Sequence, residues 1–155
     1  MAEGRARSRT WRFGVTLRWE NSNRGTLTAG GKPPLPVAPP PEFRGPEGVW
    51  SPEDLLVASV NSCVMTTFLY YVGRERIVLS RYESDAEGTV VFEEGSLRFQ
   101  KIVVRPKVQV ASEEDRKKAA SALEEAERKC LVSNSLRATV ELQPEIEVST
   151  AECGW

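Results

Sequence analysis

The chain has 155 residues, enough for one domain with a core that needs no metal or disulfide staples. With 21 Lys+Arg against 22 Asp+Glu the formal charge is −1, which argues against a dedicated nucleic-acid binder, expected to be basic. Histidine is absent, which removes Cys-His and Ser-His-Asp catalysis and every His-ligated metal site within one chain.

In chain order, the opening MAEGRARSRT carries Arg5, Arg7 and Arg9 but lacks the apolar stretch of about 7–15 residues that a secretory signal needs. The expectation is a short basic tail over residues 1–9 and a cytoplasmic protein, whose thiols stay reduced unless they take part in redox chemistry. Trp11, Phe13, Val15, Leu17 and Trp19 alternate with polar residues, which predicts a half-buried strand. Asn21-Ser22-Asn23-Arg24-Gly25 signals a turn, and Thr26 to Ala29 a second strand that completes a hairpin. Seven of the ten prolines fall between Lys32 and Trp50, which predicts a stiff loop over the core and excludes a helix or an inner strand.

Ser51-Pro52-Glu53-Asp54 is a helix start, with Ser51 at the N-cap and Pro52 at the first helical position. The helix is expected to run to about Val72, with Gly73 as its stop. Its apolar residues wrap most of the circumference, so it belongs at the centre of a fold or an assembly. Ser59, Asn61, Ser62, Thr66 and Thr67 interrupt it, which argues against a membrane span. Three strand-like runs follow, Ile77 to Glu83, Ala86 to Phe92 and Leu97 to Val110, read as an antiparallel meander. Ser112-Glu113-Glu114-Asp115 opens a second helix with an apolar stripe at Ala119, Ala120, Leu123, Ala126 and Cys130. Leu136 to Leu142 and Ile146 to Ser149 form a closing strand bent at Pro144. This is an α+β arrangement, with a single domain expected over residues 10–150 and a short tail over 151–155.

Cys63 and Cys130 stand on different helices, 130 − 63 = 67 residues apart, on faces expected to meet. A buried cysteine is commonly just a small hydrophobe. Here the surrounding residues add a resemblance. Ser51-Pro52-Glu53-Asp54-Leu55-Leu56 running to Ser62-Cys63, with Cys130-Leu131-Val132-Ser133-Asn134 downstream, resembles the OsmC/Ohr family, the osmotically inducible and organic hydroperoxide resistance proteins. Pro-Glu lies ten residues before the first cysteine, at 63 − 53 = 10, as in the family pattern, and Phe43-Arg44-Gly45-Pro46 resembles the family's glycine-containing loop. Leu131 departs from the pattern, since many members have proline after the second cysteine.

The resemblance implies an OsmC-like fold, antiparallel sheets around a central buried helix in an intertwined homodimer. It also implies thiol peroxidation of organic hydroperoxides, with Cys63 attacking, Cys130 resolving, an external dithiol as reductant and no metal or organic cofactor. An ordinary thiol has a pKa of about 8.5, and without histidine the activating cation must be Arg or Lys. The family uses an arginine held by a glutamate. The glutamate corresponds to Glu53, and the arginine to Arg24, with Arg18 as runner-up. On an unbroken helix ten residues span about 15 Å, so Glu53 and Cys63 of one chain cannot share a site. Either the helix breaks between them or Glu53 serves the thiol of a second chain. The alternatives to an enzyme are a small-ligand-binding protein of the same fold and a thiol redox sensor. Cys153, near the end of the chain, is read as incidental. The three cysteines lack the short paired spacing of a zinc site. Neither nucleic acid nor a membrane is expected as a partner.

Overall fold

The computed structural model of the chain describes residues 9–149, which form two compact units divided after Glu53. In the first unit β1 (Thr16–Asn21), β2 (Arg24–Thr28) and β3 (Leu35–Val37) make an antiparallel sheet in that order. The β1–β2 turn forms where the Asn-Ser-Asn-Arg-Gly run predicts it, with Ser22 in the left-handed region at φ 47°. The first strand is shorter than its alternation suggests. Trp11, Phe13 and Val15 precede it, and all five apolar residues of the stripe are exposed, from 62% at Leu17 to 92% at Phe13. The expected half-burial is therefore absent in the single chain.

The proline-rich stretch is not uniformly irregular. Leu35–Val37 pairs with β2 as an edge strand, Pro36 lying opposite Thr26, and Pro41–Phe43 forms one 3-10 turn. An edge position tolerates the missing proline donor, which an inner strand would not.

The second unit holds most of the chain. Helix α1 (Pro52–Glu75) starts at the predicted proline, whose absent N–H would have been unpaired at that position anyway. It runs three residues beyond Val72, straight through Gly73. The stop is instead Arg76, in the left-handed region at φ 55°, where the Ile77 N–H donates to Val72 O at 3.0 Å. That six-to-one closure is a Schellman-type end built on a non-glycine residue. Val60, Val64 and Phe68, at i, i+4 and i+8, are fully buried, whereas Leu69 and Tyr70 are exposed. So one stripe of α1 is covered, not its whole circumference. With 24 residues and a mean hydropathy of 1.6 the helix is long and apolar enough to cross a membrane, by length and composition only. The hydroxyls expected to disqualify it bond back to their own helix instead, Ser59 to Leu56 O at 2.7 Å and Ser62 to Ala58 O at 2.8 Å.

Two 15-residue strands follow, β4 (Leu79–Glu93) and β5 (Ser96–Val110), joined by the Glu94-Gly95 turn. The two runs expected before residue 93 are thus one strand. Ser84 and Asp85 do not break it, because they pair with Pro106 and Arg105 and the Asp85 carboxylate accepts from Arg105 at 2.9 Å. Helix α2 (Glu113–Lys129) begins as predicted, the Ser112 hydroxyl accepting the Asp115 N–H at 3.0 Å. After α2 come the four-residue α3 (Leu131–Asn134), β6 (Thr139–Leu142) and β7 (Glu145–Val148). Both closing strands run parallel to β5, so the second sheet is mixed, and β6 and β7 continue one another along the same side of β5. Pro106 falls in the gap where the ladder passes from β6 to β7, so its missing donor breaks neither of those parallel pairings. The core has two clusters. One joins Phe68 to α2 and the far end of β5, and the other joins Val60 and Val64 to Ile102, Val104 and Cys130.

Candidate active site

The four residues singled out from the sequence are gathered as two pairs, one in each unit. Cys63 lies mid-way along α1, between the buried Val60 and Val64, and is partly exposed. Cys130 closes α2, caps α3 and is fully buried. The expectation that the two cysteine faces meet is met: both thiols are free and belong to one cluster with Val60, Val64, Ile102 and Val104. Asn134 N–H donates to Cys130 O at 3.0 Å, which holds the α2–α3 joint in the bend that aims Cys130 at α1.

The two sulfurs are driven apart in acidity. Burial pushes the Cys63 thiol up, but hydrogen bonding from the Cys130 thiol, the Val132 N–H, the Thr67 hydroxyl and the Leu131 N–H together hold it below its ordinary value. Burial pushes the Cys130 thiol up, and donation to Cys63 pushes it further, with Ser133 pulling partly the other way. The pair therefore has a built-in polarity, with Cys63 favoured as thiolate and Cys130 as the proton-bearing donor. The thiolate is the nucleophilic form of cysteine.

This activation comes from hydrogen bonds inside the second unit, a source that composition alone did not indicate. Thr67 had a legible signal, since it stands four residues after Cys63 on the same helix face. The backbone donors of Leu131 and Val132 had none, because they exist only through the bend after Cys130.

Glu53 and Arg24 lie together in the first unit. Glu53 is the second residue of α1, and its Oε2 is buried without a hydrogen-bond partner among the described residues. Arg24 opens β2. Both line a cavity of about 410 Å³ walled by Trp19, Val37, Pro39, Pro40 and Phe43. No ion pair joins Arg24 to Glu53. Gly45 shapes the wall, since a Cβ there would lie 1.5 Å from Pro39 O, and its N–H donates to Pro40 O at 2.9 Å. Arg18, the runner-up, is exposed on β1 opposite Thr26 and does not line this cavity. Helix α1 is unbroken from Pro52 to Glu75, so of the two routes for Glu53 the broken helix is not taken. Cys153 lies outside the described residues. Among the described residues no cluster of acidic and cysteine side chains suits a metal ion.

Residues 45–145 match the family described as OsmC-like protein. A Bacillus subtilis protein named uncharacterized protein YmaD is 28% identical over 115 residues, covering 72% of this chain and 77% of the relative. Among solved structures, an OsmC-like protein of unknown function from Vibrio cholerae superposes with a TM-score of 0.81 at 20% identity, covering 88% of this chain and all of that one. An organic hydroperoxide resistance protein from Elizabethkingia anophelis gives 0.69 at 18% identity, covering 91% and 97%. OhrB of Bacillus subtilis, also an organic hydroperoxide resistance protein, gives 0.63 at 20% identity, covering 88% and 98%. At these identities the structural likeness carries the fold.

Proposed function

Given that this chain belongs to the OsmC-like family, we propose that it is a cysteine-based peroxidase that reduces organic hydroperoxides. The observation that carries this reading is the polarised pair: two free thiols in one cluster, one held below its ordinary pKa and the other above it. In the reaction the Cys63 thiolate attacks the terminal peroxide oxygen, the O–O bond breaks, and the alkoxide leaves as alcohol on taking a proton. Cys63 becomes a sulfenic acid. Cys130 then gives up its proton, its sulfur attacks the Cys63 sulfur, the S–O bond breaks and water departs, leaving a disulfide. Two electrons have passed from the thiols to the peroxide. An external dithiol restores both thiols by exchange and is itself oxidised to a disulfide.

The first unit supplies the apolar cavity that suits the organic part of the substrate, with Asn23, Arg24 and Glu53 among its polar groups. Glu53 stands about 15 Å along an intact helix from Cys63. The working site is therefore composite, Arg24 and Glu53 of one protomer serving the thiols of its partner. The exposed stripe from Trp11 to Trp19 and the open face of α1 at Leu69 and Tyr70 support a homodimer that covers them.

The test is consumption of cumene hydroperoxide by the reduced protein with a dithiol present. Steady turnover that disappears in Cys63→Ser is expected. Thiols lost once without turnover would replace the enzyme by a redox sensor. The apolar cavity also suits a small-ligand carrier, and that reading takes over if no thiol reacts at all.

A further inference from the structure

Ser133 is the third residue of α3, and its Oγ is sealed from solvent without a hydrogen-bond partner among the described residues. Buried hydroxyls are almost always paired, so an orphan beside a chemical site calls for an explanation. The serine follows Cys130 by three residues, across the bend where Cys130 caps α3. The Leu136 N–H donates to Ser133 O at 3.2 Å and the Asn134 N–H to Cys130 O at 3.0 Å, so both ends of the turn are held.

In the resting protein the Cys130 sulfur carries its proton and spends it on Cys63. A protonated sulfur is a weak acceptor, which leaves the Ser133 hydroxyl with nothing strong to bond. That changes at two moments of the cycle, when Cys130 loses its proton to attack the sulfenic acid and when it departs as a thiolate during reduction. In both, negative charge appears on a fully buried sulfur. Charge buried without a donor is costly.

We propose that Ser133 is the donor kept for the Cys130 thiolate, a buried hydroxyl that makes no full hydrogen bond in the reduced resting state and makes one while Cys130 carries charge. The proposal rests on the peroxidase reading above. It assigns the two sulfurs separate sets of donors: Thr67 and the Leu131 and Val132 N–H groups for Cys63, and Ser133 for Cys130. A donor fixed in place before the charge forms needs no reorganisation at the moment of reaction. Ser133 is also the main influence pulling the Cys130 thiol down against its burial, while Cys63 pushes it up.

The experiment is a single turnover of the full-length reduced protein with cumene hydroperoxide. Quenched samples are read by mass spectrometry for dimedone-trapped Cys63 sulfenic acid and for the Cys63–Cys130 disulfide. In Ser133→Ala the sulfenic acid forms at the wild-type rate and accumulates. Its conversion to disulfide slows by about ten- to a hundredfold, the worth of one hydrogen bond to a charged group. The pH at which that second step reaches half its maximum rate moves up, and Ser133→Thr, which keeps the hydroxyl, restores it. Disulfide formation at the wild-type rate in Ser133→Ala would overturn the proposal, as would equal slowing of both steps, the mark of a merely structural role. A wild-type protein unreactive toward cumene hydroperoxide defeats the peroxidase reading itself. The Ser133 comparison is then made with excess hydrogen peroxide as the sulfenic-acid source and is decided by the same two outcomes.

Discussion

Thr67 stands one helical turn beyond Cys63, and its hydroxyl helps hold the Cys63 thiol below its ordinary pKa. Removing that hydroxyl should therefore act on reactivity before it acts on stability. In Thr67→Val, alkylation of Cys63 by monobromobimane at neutral pH slows by about tenfold, one charge-assisted hydrogen bond, and Thr67→Ser regains most of the rate. The sign follows from the thiolate being the reactive form. As pH falls through the Cys63 pKa the thiolate is lost, and because that pKa lies below the ordinary thiol value, wild-type reactivity persists to lower pH than that of a free cysteine. The variant loses the low-pH part of the profile first, so a profile that does not move would remove Thr67 from the site. At this scale the sequence was legible where chemistry depends on residue type. Cys63, Cys130, Glu53 and Arg24 all stood out, and the cysteines meet as expected. The donors to Cys63 were harder to see because two are backbone groups, and every residue has a backbone N–H.

Elements were legible wherever a local rule decided them. Ser112 and the acids after it announced α2, and the cap forms as expected. Ser112→Ala is expected to cost about 1 kcal/mol in denaturant unfolding. Pro52 likewise announced the start of α1. The misreadings have two causes, one a partner distant in sequence and the other a nearby residue that ends the helix in place of the expected one. Ser84 and Asp85 look like a break until Pro106 and Arg105 pair with them, and Gly73 looks like a stop until Arg76 takes the left-handed turn. Gly88 also owes its place to partners distant in sequence. It lies in β4, and a Cβ there would meet Phe99 Cε1 at 2.6 Å and Val57 Cγ2 at 2.8 Å. Gly88→Ala therefore overpacks the layer between α1 and the sheet and is expected to destabilise by about 1–3 kcal/mol. Phe68→Ala, at the centre of the other cluster, opens a cavity and is expected to cost about 3–5 kcal/mol.

For the whole molecule, the exposed aromatic stripe of the first unit and the half-covered α1 make one prediction. Light scattering on the purified protein in detergent-free buffer gives about twice the 17.3 kDa of a single chain. A stable monomer would leave Glu53 without a thiol to serve and would remove the composite site. The thiols also enclose a definite stretch of chain. Between Cys63 and Cys130 lie both long strands and all of α2. Once the sulfurs join, that stretch becomes a covalent ring of 130 − 63 = 67 residues, which takes from the denatured chain freedom worth about 4 kcal/mol. The oxidised form accordingly melts well above the reduced form, a difference abolished in Cys130→Ser. Every catalytic cycle would then fasten and release the same clasp, and a melting curve would register which state a sample holds.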